Sequence, residues 1–143
     1  MINALIVAFL SINITIGYVV ASVLFSHLES AVAGKIMGLF FSGLYIIDVL
    51  ILLAVILILF LRKQRGFYKQ GWLWVSLLLI LLNALYLSPI MAQLKLAGAD
   101  AQALGMSFSG WHAVSQIIFM LALGFVIIWW LFVYSKTYSA STD

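Results

Sequence analysis

The 143-residue chain is 66% hydrophobic and only 8% charged, with a mean hydropathy of +1.25; a soluble domain carries about a quarter charged residues, so water is excluded as its main solvent and lipid is required. The lack of cysteine excludes disulfides, thiolate metal sites and cysteine nucleophiles. The net charge of +3 arises from one short basic loop rather than from a nucleic-acid-binding face.

A spanning helix needs about 20 mainly apolar residues. Four such spans with short connections account for the chain, which predicts an all-α integral membrane bundle of four transmembrane helices, a single membrane domain over residues 1–143. The first span, about 2–25, has no basic n-region and is longer than the apolar core of a signal peptide, so it reads as an uncleaved helix. A connection containing His27 and Glu29 leads to the second span, about 36–61, which ends at the basic segment Arg62–Lys69. The third span, about 72–91, carries Pro89 in its last turn; the longest connection, 92–110, follows, with Gln93–Ala97 readable as a short interfacial helix. Ser107 or Ser109 can cap the fourth span, about 111–134. Trp72, Trp74, Trp111, Trp129 and Trp130 fall near span ends, where interfacial aromatic belts sit.

Small residues spaced by four mark close helix contacts in lipid. Gly17 and Ala21 on span one, and Gly34, Gly38 and Ser42 on span two, form two such stripes. They predict a tight hairpin of the first two helices, with a homodimer seam as the alternative.

Asp48 is the sharpest anomaly. A central aspartate costs about 2.5–3.5 kcal/mol on insertion scales, and no lysine or arginine lies at its depth. It is therefore expected to face the interior and to be hydrogen-bonded, with Asn83 or Asn13 as partner. Those asparagines fall at comparable depth, with Tyr45 one turn from Asp48 and Tyr86 one turn from Asn83. The group reads either as a hydrogen-bond cluster fixing helix register or as a proton relay or substrate contact. At the other membrane face, His112, Ser115 and Gln116 occupy i, i+3 and i+4 of span four. Their helix face is expected to point inward, with His112 lining a cleft between spans three and four. His27 lies at a similar level, as do Met37, Met91 and Met106. Histidine with thioether suits Cu(I), and two facing histidines can ligate haem, so copper or haem is the alternative to no cofactor. Phosphate-binding glycine loops and hydrolase or metalloprotease motifs are absent, and no enzyme activity is expected.

Leu24-Phe25, Leu28, Gly34 and Leu39-Phe40, then Asn83 through Pro89, then Phe108, His112 and Ser115 resemble, in order and spacing, the transmembrane-protein-205-like domain family of small four-helix proteins. The resemblance implies attention to Asn83, Pro89, His112 and Ser115. This chain has Phe41 and Phe119 where the family often has proline and asparagine.

The readings that follow are a small accessory or assembly partner of a larger membrane complex or a homo-oligomer, and alternatively a transporter or metal- or haem-handling protein using His112, His27 and Asp48. Basic residues set the orientation. The loop between spans two and three holds four of the seven lysines and arginines, and Lys136 shares its side; Lys35 and Lys95 lie opposite. The positive-inside rule then places both termini in the cytoplasm of a bacterium, with the protein in the inner membrane. Reporter fusions at Asp143 and within residues 97–102 should give opposite compartment signals, and a periplasmic signal at Asp143 would overturn the assignment.

Overall fold

The computed structural model describes residues 1–62, 67–98 and 100–134, the side chains of 67–69 and 133–134 excepted. The chain is all-α in class and an integral membrane protein. Among the described residues, four helices are long and apolar enough to cross a membrane. We number them α1 (Ile2–His27), α2 (Ser30–Leu61), α3 (67–97) and α4 (108–134). The helices run further than the hydropathy limits because their polar ends are still helical. Residues 63–66 of the basic segment and Lys136 lie outside the described residues. The chain divides into two compact units, Met1–Leu61 and Arg62–Asp143.

In the first unit, α1 and α2 are joined by Leu28 and Glu29. Leu28 is extended, at φ −122° and ψ 154°, which ends α1, and the Glu29 carbonyl accepts from Ala33 N at 2.9 Å to start α2. The inward face of α1 is Ile2, Ile6, Phe9 and Asn13, spaced four, three and four residues apart. It meets a stripe on α2 that includes Met37, Leu44, Asp48, Leu52, Val55 and Leu59. Asn13 is bonded to Asp48, and equal counting outward along two antiparallel helices puts Phe9 level with Leu52 and Ile6 level with Val55. Large side chains therefore carry this seam.

The small-residue stripes do not. Gly38 and Ser42 are exposed, and a Cβ added at Gly17 or at Gly38 would meet nothing within 4 Å. The reason is angular: Gly38 follows the inward Met37 by one residue, about 100° round the helix.

In the second unit, α3 and α4 run antiparallel and share one register. Ser76 Oγ donates to the Ala122 carbonyl at 2.9 Å, and Asn83 is bonded to Ser115. Each partner in the second bridge lies seven residues from its counterpart in the first, two turns along the same face on both helices. The inward row of α4 is Trp111, Ser115, Phe119, Ala122 and Val126. Between Trp72 and Phe125 the ring centroids are 5.4 Å apart.

Pro89 does not end α3. The chain widens into a π-helical stretch at Asn83–Leu87 just before it, and the helix then continues to Ala97. Proline lacks an N–H, and its ring crowds the carbonyl four residues back; a widened turn relieves both problems without breaking the helix. Gln93–Ala97 is thus the end of α3 rather than a separate interfacial helix, and the connection to α4 shortens. It contains a small hairpin, β1 (Gln102–Ala103) against β2 (Met106–Ser107). Leu104 and Gly105, at φ 51° and 77°, make its two-residue turn. Holding a leucine there costs about 1–2 kcal/mol.

Of the two serines that could cap α4, Ser107 does so, accepting from Gly110 N at 3.5 Å. Trp111 closes over the hairpin, buried with Leu87 and Leu94, and its indole N–H donates to the Ala103 carbonyl at 3.0 Å. Trp111 and Trp129 are buried, so they are packing residues rather than belt residues; Trp72 and Trp74 remain exposed.

Candidate functional site

Among the described residues, buried Asn13 and Asp48 pair in the first unit and buried Asn83 and Ser115 in the second, where Ser76 and Gln70 are buried elsewhere. In the first unit, Asn13 and Asp48 are both 0% exposed. Asn13 Nδ2 donates to Asp48 Oδ1 at 2.7 Å and to the Phe9 carbonyl, one turn back on its own helix, also at 2.7 Å. A side chain that takes an i−4 carbonyl competes with the backbone ladder, and the π-helical stretch Thr15–Val20 begins two residues later. Asp48 Oδ2 and Asn13 Oδ1 are buried without a hydrogen-bond partner. Tyr45 is also buried, its ring 6.0 Å from that of Phe41.

In the second unit, Asn83 and Ser115 exchange two hydrogen bonds. Ser115 Oγ donates to Asn83 Oδ1 at 2.6 Å, and Asn83 Nδ2 donates to the Ser115 carbonyl at 3.2 Å. This arrangement consumes both ends of the Asn83 amide. Asn13 is therefore the partner of Asp48, and Asn83 serves a separate bridge.

The polar row on α4 divides. Ser115 turns inward, whereas His112 and Gln116 are exposed. On a helix of 3.6 residues per turn these three positions spread over about 100°, and the row that packs inward passes through Trp111, not His112. His112 lies outside the seam with α3, stacked on Phe108 with ring centroids 5.8 Å apart and planes 12° from parallel. Lys95 Nζ stands 4.9 Å from the Phe108 ring centre. Tyr86 is half exposed and meets Trp111 edge-on at 6.5 Å.

His27 is exposed at the end of α1, its Nδ1 lying 2.8 Å from Ser26 Oγ and 2.9 Å from the Val23 carbonyl. The two histidines belong to different units, and among the described residues no three His, Asp or Glu side chains converge. Met91 and Met106 pack against the Leu87–Leu94–Trp111 cluster, and Met37 is in the first unit's core. All three methionines have apolar packing roles.

Ser76 was not among the sequence candidates. Its position seven residues before Asn83 was the available signal, since two turns return a side chain to the same helix face.

A family model described as a domain of unknown function, DUF4149, matches residues 4–100. The chain belongs to this family. Neither curated proteins nor solved structures gave a match. The DUF4149 match spans Asn13, Asp48 and Asn83 and stops before His112 and Ser115. It fits a small family of unknown function and does not extend to the transmembrane-protein-205-like family that the motifs resemble.

The geometry separates two substitutions in this DUF4149 chain. An asparagine at position 48 supplies both an acceptor for Asn13 Nδ2 and a donor for Asn13 Oδ1, so Asp48→Asn should fold normally. Asp48→Leu leaves the Asn13 amide with one buried hydrogen unpaired and should cost about 1–3 kcal/mol. Thermal unfolding in detergent checks both, and equal stability of the two variants would contradict the assignment.

Proposed function

We propose that this integral membrane protein is non-enzymatic and acts as an accessory or assembly partner of a larger membrane complex in a bacterial inner membrane. The reading is supported chiefly by the outward stripe on α2. Gly38 and Ser42 are exposed, and Ser42 Oγ folds back onto the Gly38 carbonyl at 2.9 Å. The stripe is thus shallow and its hydroxyl is already satisfied. A partner's transmembrane helix could approach closely there, since small residues allow backbone contact in lipid where the hydrophobic effect offers no drive. Gly38 has no packing role inside its own unit, where an added Cβ meets nothing within 4 Å. A contact with another chain gives the glycine a purpose.

The alternative is an ion-handling or transport role that includes Asp48. The two unpaired buried oxygens of the Asn13–Asp48 pair favour it. The copper and haem versions, which would use His112 and His27, draw no comparable support from the side-chain geometry.

A photo-cross-linker at Ser42, activated in native membranes, tests the accessory reading. The expected product is a single adduct with a different membrane protein, and Gly38→Ile should reduce its yield at least tenfold without lowering accumulation of the chain. An adduct at twice the 15.9 kDa chain mass would identify a homodimer and contradict the accessory role, as would the lack of any protein adduct.

A further inference from the structure

Donors and acceptors do not balance in the first unit. Asn13 Nδ2 has two hydrogens, and both are used, on Phe9 O and on Asp48 Oδ1. The pair keeps two further acceptors, Asp48 Oδ2 and Asn13 Oδ1, each buried and unpartnered. Buried polar groups in proteins are nearly always hydrogen-bonded, and hydrocarbon supplies no water to make up a deficit. With both Nδ2 hydrogens committed, a donor is missing for the two acceptors that remain.

The surroundings limit what that donor can be. Both residues are 0% exposed, so a side chain from another protein has no access to them. Among the described residues no three His, Asp or Glu side chains come together to hold a metal ion, and divalent cations of the magnesium or calcium type need about six oxygen ligands. A hydrogen needs only the two acceptors that are present.

We propose that the Asn13–Asp48 pair is a proton-binding site. A proton taken from water forms an O–H bond at Asp48 Oδ2, neutralises the carboxylate and is donated toward Asn13 Oδ1. The amide and the carboxyl then exchange two hydrogen bonds, and both orphaned oxygens are satisfied. On release the O–H bond breaks, its electron pair stays on Asp48, and the proton returns to water.

The titratable groups of the packed elements do not substitute for this proton. Over Ile2–Ile14, α1 carries no titratable side chain; beyond it, Tyr18 and His27 are exposed. On α2, Lys35 is exposed and lies more than three turns away, and Tyr45 is buried one turn away. The π-helical stretch beside Asn13 is a feature often found at functional sites. The proposal does not depend on the accessory role, since it concerns what the pair holds rather than what the protein contacts.

Infrared spectroscopy of the full chain in lipid nanodiscs tests it, using carbon-13-labelled aspartate. The chain has four carboxyl side chains, and only Asp48, Asp100 and Asp143 would carry the label. The expected result near neutral pH is one labelled C=O band of a protonated carboxyl group that shifts in heavy water. The band should persist when Asp100 and Asp143 are both replaced by asparagine and disappear in Asp48→Asn. Carboxylate bands alone, at neutral and mildly acidic pH, would overturn the proposal. The labelled protein with Asp100→Asn and Asp143→Asn decides the matter even if Asp48→Asn fails to accumulate.

Discussion

Hydrocarbon cannot hydrogen-bond, and in a chain this apolar that constraint determines where the few polar side chains go. An asparagine, an aspartate or a serine at membrane depth must find its partner in protein. Each hairpin answers with a cross-helix bridge: Asn13 to Asp48 in the first unit, and Asn83 to Ser115, with Ser76 to Ala122, in the second. Apolar packing alone specifies register poorly, because one leucine fits against another at many offsets. A misplaced polar pair would leave several groups unsatisfied, so the bridges select one offset. The Ser76 and Asn83 bridges agree on the same offset over two turns, and the Trp72–Phe125 contact lies within one residue of it.

Two of these bridges, at Asn13 and at Asn83, adjoin departures from regular helix. In α1 the widened stretch follows the asparagine whose side chain also bonds a carbonyl of its own helix. In α3 it begins at Asn83 and ends just ahead of Pro89, where the proline ring needs space. Irregular backbone is tolerated within the membrane when protein satisfies it. The difference between the two bridges matters for function. Asn83 and Ser115 leave no polar side-chain atom without a partner, as a structural fastener requires. Asn13 and Asp48 leave two acceptors over, and an incomplete ionisable pair at membrane depth is the kind of feature that accompanies proton or ion handling.

Hydropathy and length made the four helices and their approximate limits legible, and cost arguments placed Asp48 inward with Asn13 as one of two possible partners. What the sequence could not settle came from angle and from backbone geometry. Small residues at 34, 38 and 42 resemble a contact seam, but Met37 and Leu44 face α1, so Gly38 and Ser42 turn away. His112, Ser115 and Gln116 look like one stripe when only polarity is read. The inward row includes Trp111, which its place near a span end made read as an interfacial aromatic, and leaves His112 stacked on Phe108 outside it. Pro89 reads as part of the last turn of a span ending near residue 91, because a π-helical accommodation that lets the helix run on to Ala97 leaves no composition signature. Ser76 escaped notice because a lone serine in an apolar helix is unremarkable until its heptad partner Asn83 is considered.

The central claim is that polar bridges between the helices of each hairpin fix their pairing, and a double-mutant cycle measures it most directly. Asn13→Val, Asp48→Val and the double variant, compared by reversible unfolding in mixed micelles, isolate the energy that belongs to the pair. The account predicts that the double variant is more stable than the sum of the single losses implies, by about 1 kcal/mol, which is within the range of hydrogen bonds between transmembrane helices. The Asn83–Ser115 pair, treated in the same way with Asn83→Leu and Ser115→Ala, should show coupling of the same sign. Strictly additive losses in both cycles would mean that apolar packing alone holds the hairpins together, and would contradict the account.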